Sequence, residues 1–137
     1  MAKENTNLND FNVEIIDKSR EINAREILSF KDYSNAIALD TALSDDTDSL
    51  IITPTDYVIL KVHNEHSKND KDYKKYLIID NAGKKYVTGS ESFFKAFKDI
   101  YDTMKQAAPG EEYSIEVYKK PSKNYQGKHF LSCSILP

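Results

Sequence analysis

The sequence predicts a mainly β, single-domain protein, and three observations carry that expectation. The chain has 137 residues, close to the size of one ordinary domain. Short runs rich in Val, Ile, Tyr and Phe recur between polar or glycine-bearing breaks, which is the pattern of strands. One segment, after Ser90, repeats apolar residues at helical spacing over several turns. With 39% hydrophobic and 30% charged residues, the composition supports a modest core under a well-solvated surface.

Taken in order, residues 11–16 alternate and are β-branched, a short strand. Residues 21–43 read either way, because Ile27, Leu28 and Phe30 suit a strand or a helix. Residues 44–49 form a solvated loop, and Pro54 marks a break. Residues 57–63 are a long strand, 66–72 a polar loop, and 73–80 a second strand. Asn81-Ala82-Gly83 makes a tight turn in which glycine supplies a positive φ, and residues 84–88 are a third strand. Ser90 is an N-cap with Glu91 at the positive end of the helix dipole. Phe93, Phe94, Phe97, Ile100, Tyr101 and Met104 share one face, and Pro109-Gly110 stops the helix near Ala108. Residues 113–120 alternate as a fourth strand, 121–127 are a loop, and 128–136 a fifth strand.

From Tyr57 onward the order is therefore strand, strand, strand, helix, strand, strand. That is the element order of an OB-fold, a five-stranded Greek-key barrel with its helix between strands three and four. The expected organisation is an acidic extension over residues 1–56, with at least one strand packed on the barrel, followed by an OB-fold-like barrel over 57–137. Charge divides in the same place. Residues 1–56 hold 5 basic and 12 acidic side chains, and residues 57–137 hold 14 and 10, with lysine as the only basic type apart from histidine in the second part.

In an OB-fold, oligonucleotides lie on the strand two and three face, between the loop joining strands one and two and the loop joining four and five. Here those loops and their edges carry Lys68, Lys71, Tyr73, Lys74, Lys75 and Tyr76 on one side. On the other they carry Tyr118, Lys119, Lys120, Lys123, Tyr125 and Lys128. Lysines gain affinity by releasing counterions from phosphates, and tyrosine rings stack on bases of any identity. Lysine without arginine disfavours bidentate guanine reading in a major groove and favours backbone tracking. Alternation leaves open whether Tyr76 faces the core instead.

Other chemistries find little support. The net charge of −3 excludes a strongly basic chain that coats nucleic acid by charge alone. No apolar run approaches the ~20 residues of a membrane span, and the first residues lack the apolar core of a signal peptide. His63, His66 and His129 lack further ligands at zinc spacing. Asp45, Asp46 and Asp48 lack the glycine and distal glutamate of a calcium loop. Gly89-Ser90-Glu91-Ser92 misses the nucleophile-elbow spacing, and no glycine-rich phosphate loop occurs. Cys133 alternates with Leu131 and Ile135 as a small buried hydrophobe. The chain is expected to be neither an enzyme nor a cofactor carrier.

Two blocks then carry a resemblance. Tyr86-Val87-Thr88-Gly89-Ser90-Glu91-Ser92-Phe93, and the stretch from Val117-Tyr118-Lys119-Lys120-Pro121 through Tyr125 to Ile135, resemble small single-stranded-DNA-binding proteins of bacteriophages and mobile elements. Lys18-Ser19-Arg20-Glu21 and Lys31-Asp32 extend the likeness. The resemblance implies an OB-fold that coats single strands in replication or recombination, in the bacterial host cytoplasm if phage-encoded. Partners would be single-stranded DNA, with RNA as an alternative, further copies of the chain, and replication or recombination proteins. Members of that functional class often end in an acidic tail, whereas the acidic charge here sits at the N-terminal side. The rival expectation is a protein-interaction module, a small inhibitor or adaptor, that offers this acidic surface to a basic partner.

Overall fold

The computed structural model describes residues 11–43, 48–65, 72–121 and 129–137. Five strands form the larger sheet: β1 (Phe11–Lys18), β2 (Ile37–Ala38), β4 (Pro54–Asn64), β5 (Asp72–Asp80) and β6 (Lys85–Thr88), in the order β1-β4-β5-β6-β2. The smaller sheet is β3 (Ser49–Ile52), β7 (Ile115–Pro121) and β8 (His129–Ile135), in that order. Pairing is antiparallel throughout except between β2 and β6. The helices are α1 (Ala24–Lys31), α2 (Leu39–Ala42) and α3 (Glu91–Ala107).

The larger sheet is covered on both faces. On one side, Tyr57, Tyr76, Ile78 and Tyr86 meet Phe93, Phe94 and Phe97 of α3 and Ile115, Val117, Leu131 and Cys133 of the smaller sheet. On the other, Val58, Leu60, Val62, Leu77, Ile79 and Val87, with Val13 of β1 beside them, are covered by Phe30 of α1. This explains why residues 76–79 of the central strand are all buried: a strand covered on both faces reads as an apolar run, not an alternation.

Local signals account for the ends of these elements. The Phe93 amide donates to the Ser90 hydroxyl (3.1 Å), which caps α3. Asn23 and Glu26 form a reciprocal capping box on α1. In the β5–β6 turn the Asp80 carboxylate accepts from the Ala82 and Lys84 amides (2.9 and 2.8 Å), and Gly83 takes φ +83°, a value that side chains with a Cβ rarely adopt.

One expectation is corrected, and two features take a more specific form. First, no closed barrel forms among the described residues. β6 pairs with β2 on its free side, and among the described residues no ladder joins β6 to β8. The Ser92 hydroxyl at the start of α3 donates instead to the Leu131 carbonyl of β8 (2.9 Å). Second, the break expected at Pro54 is a change of sheet. Pro54 begins β4 directly after β3, so the chain passes from one sheet to the other at Thr53, whose hydroxyl bonds that of Ser114 (2.7 Å). Third, the first 56 residues are built into both sheets. They supply β1, β2 and β3, and they bury Leu39, Leu43 and Ile52 in the main core; the boundary between 56 and 57 falls inside β4. The strand expected at 11–16 does dock, as β1 alongside β4.

Candidate nucleic-acid interface

The first cluster of expected site residues lies at the start of β5. Lys74 is exposed and pairs across the sheet with Lys61 of β4. Lys75 is half-buried, on the same face as Tyr73, with its ammonium 5.9 Å from the Tyr73 ring centre. Tyr73 is itself half-buried against the second core, beside Tyr33, whose phenol burial pushes up to about 12. Lys68 and Lys71 lie outside the described residues.

Tyr76 is not a site residue. It is 5% exposed, and its ring stacks on Phe94 with centres 4.4 Å apart and planes 13° apart. Alternation sets it on the face where α3 lands, so no base can reach it. The middle of the predicted strand two and three face is likewise closed, since Phe30 covers Leu77, Ile79 and Val87 on its other side. The expected binding face is therefore unavailable at its centre, and only its edge residues remain accessible.

The second cluster lies where β7 approaches β8. Val117 and Cys133 point inward, so Tyr118 and Lys120 point out, and Phe130 stands directly across from Lys120. The Tyr118 and Ser134 hydroxyls share a 2.5 Å hydrogen bond, and the Lys120 ammonium lies 6.0 Å from the Tyr118 ring centre. Phe130 is 39% exposed and Ile51, on the same outer face, 60%. Lys119 takes the inner side, its ammonium 3.5 Å from the Leu43 carbonyl oxygen. Lys123, Tyr125 and Lys128 fall outside the described residues. Phe130 was absent from the expected site, although its alternation with the inward Leu131 and Cys133 marks it as outward.

The corner between β6 and α3 joins the clusters. A Cβ built on Gly89 would lie 3.7 Å from the Lys75 ammonium and 3.8 Å from the Lys74 carbonyl oxygen. The next residue, Ser90, lines a cavity of about 330 Å³ with Asp40, Lys119, His129, Phe130 and Leu131. Lysines from both clusters thus border one short stretch of chain. No family model, curated protein or solved structure matches this chain.

Among the described residues no cluster of three His, Cys, Asp or Glu side chains can hold a metal ion. His63 illustrates why. Its Nδ1 meets Asp72 and its Nε2 meets Glu65, each at 2.7 Å, so the two carboxylates sit on opposite sides of the ring and cannot share a cation. They instead favour the doubly protonated ring and raise its pKa, Asp72 contributing most. Burial pushes the Cys133 thiol up to about 12, which leaves it protonated and unreactive at neutral pH.

Proposed function

We propose that this chain binds single-stranded nucleic acid, DNA in the first instance, non-catalytically and largely without regard to sequence. The observation that carries the reading is the open face of the β3-β7-β8 sheet, where Tyr118, Lys120 and Phe130 stand side by side. Two aromatic rings at sheet spacing offer successive stacking surfaces, and the lysine beside them meets the intervening phosphate. Lys119 and Lys75 continue the positive charge round the Gly89 corner. Local gathering of lysines matters because the chain as a whole carries −3.

An opened OB-fold is the architecture this reading adopts. The β4-β5-β6 meander, the helix placed before the β7-β8 hairpin, and the crossing between sheets at Thr53 support it. The likeness of residues 86–93 and 117–135 to phage single-strand binders, and roles in replication or recombination, belong to the same proposal.

The test is fluorescence anisotropy with labelled oligo-dT at two salt concentrations. Phe130→Ala is expected to cost ~1–3 kcal/mol of binding and leave the salt slope nearly unchanged, since stacking releases no counterions. Lys120→Ala should instead flatten the slope by about 0.7, the value of one phosphate contact on a single strand. If both variants bind like the parent, the open face is not the site. If oligo-dT fails to bind while Asp48→Asn weakens capture of a basic partner, the protein-interaction reading replaces this one.

A further inference from the structure

The cavity at the Gly89 corner has a chemistry that phosphate tracking does not use. Asp40 lines it together with Lys119, His129 and Phe130, residue types suited to a nucleotide. Asp40 and Lys119 face the same space without pairing to one another. The Lys119 ammonium is held near the Leu43 carbonyl, and among the described residues Asp40 accepts only from the Thr88 hydroxyl, at 3.2 and 3.3 Å to its two oxygens. One weak, shared donor leaves most of the carboxylate's accepting capacity unused. A volume of about 330 Å³ falls at the small end of ligand cavities, which run roughly from 300 to 1,000 Å³.

We propose that this cavity seats one unstacked guanine of a bound strand; the inference rests on the single-strand reading and refines it at one position. Guanine alone among the bases presents two adjacent donors on its pairing edge, the ring N1–H and the exocyclic amino group. Two parallel hydrogen bonds to the Asp40 oxygens match that edge, and charge on the acceptor strengthens both. Adenine and cytosine each offer an amino group beside an acceptor, and thymine offers one N–H between two carbonyls. Each of these turns a lone pair towards the carboxylate. Phe130 lines this cavity and also belongs to the outward row of β8, so a strand crossing the open face passes beside the cavity mouth. Lys119 in the same lining offsets the carboxylate's repulsion of the flanking phosphates.

The experiment compares, on the full chain, labelled oligo-dT with the same strand carrying one internal dG, and with deoxyinosine in place of that dG. The dG strand is expected to bind about five- to tenfold tighter than oligo-dT, the lower part of the range for a bidentate base contact. Inosine lacks the amino group and should fall between them, a comparison that needs no change to the protein. Asp40→Asn, which keeps an acceptor for Thr88, should bring the dG-to-dT ratio close to one. Equal affinity for the dG and dT strands, or a preference that survives in Asp40→Asn, overturns the guanine site and leaves the single-strand reading standing. Failure of every strand to bind overturns both.

Discussion

Tyr113 carries its hydroxyl into the interior, where no described group hydrogen-bonds it, and burial pushes its pKa up to about 12. A buried, unpartnered hydroxyl costs free energy that the ring alone does not. Tyr113→Phe is therefore expected to stabilise the fold by about 1 kcal/mol, read as a higher urea midpoint at constant slope. A lower midpoint would mean that the hydroxyl has a partner after all. His63 gives a pH-dependent counterpart. Its two carboxylate contacts raise its pKa above the ordinary 6.5, so the folded state binds the proton more tightly than the unfolded state. The stability it contributes is full below pH 6.5, while the carboxylates stay ionised, and fades as pH rises through the folded value. His63→Gln should flatten the thermal-stability profile above pH 6.5; an unaltered profile would show that the exposed contacts are too well solvated to matter.

At the scale of elements, α3 shows how a local pattern becomes tertiary structure. Its aromatic face meets Tyr57 and Tyr76, with Tyr57 edge-on to Phe94, Phe97 and Tyr101 at 5.4, 6.1 and 5.2 Å. Phe97 is fully buried. Phe97→Ala should leave a cavity the neighbouring rings cannot fill and cost ~3–5 kcal/mol in chemical denaturation, whereas a loss below ~1 kcal/mol would make the helix peripheral. The attachment of α1 to the sheet is a different case, because polar contacts hold it from the side. Arg20 donates to Glu26 (2.8 Å) and Asp56 (3.0 Å), and the Ser19 hydroxyl donates to Asp56 while accepting from the Tyr57 amide. A planar fork reaches two carboxylates that an ammonium cannot span equally. These groups are partly solvated, so Arg20→Lys should cost no more than about 1 kcal/mol. The edge strand β1 also carries a bulge between Ile15 and Asp17 and charged outward residues, devices that discourage another chain from pairing there.

For the whole molecule, the weaving of residues 11–56 into both sheets has a direct consequence. The fragment 57–137 would lose β1 and β3 and the core contacts of Leu39, Leu43 and Ile52, and would expose Leu60 and Val62. It should be soluble only poorly and show no cooperative thermal transition by circular dichroism; a cooperative melt would restore the two-part organisation read from charge. Features governed by neighbours in sequence were legible without coordinates. Apolar runs marked β4 and β5, alternation marked β7 and β8, Ser90 and the Pro109-Gly110 pair bounded α3, and Gly83 placed the turn. The same alternation points Lys120 and Phe130 outward, so half of the candidate interface was readable from β7 and β8 alone. Three outcomes depended on partners distant in the chain. The short β2 occupies the edge of β6 that barrel closure would need, α3 lands on the face that carries Tyr76, and α1 shuts the opposite face. The sequence by itself determined which residues are apolar and at what period. Which of two equivalent strand faces meets the core, and which edge stays open, was decided only by tertiary packing, because a period of two distinguishes the faces without saying what covers either.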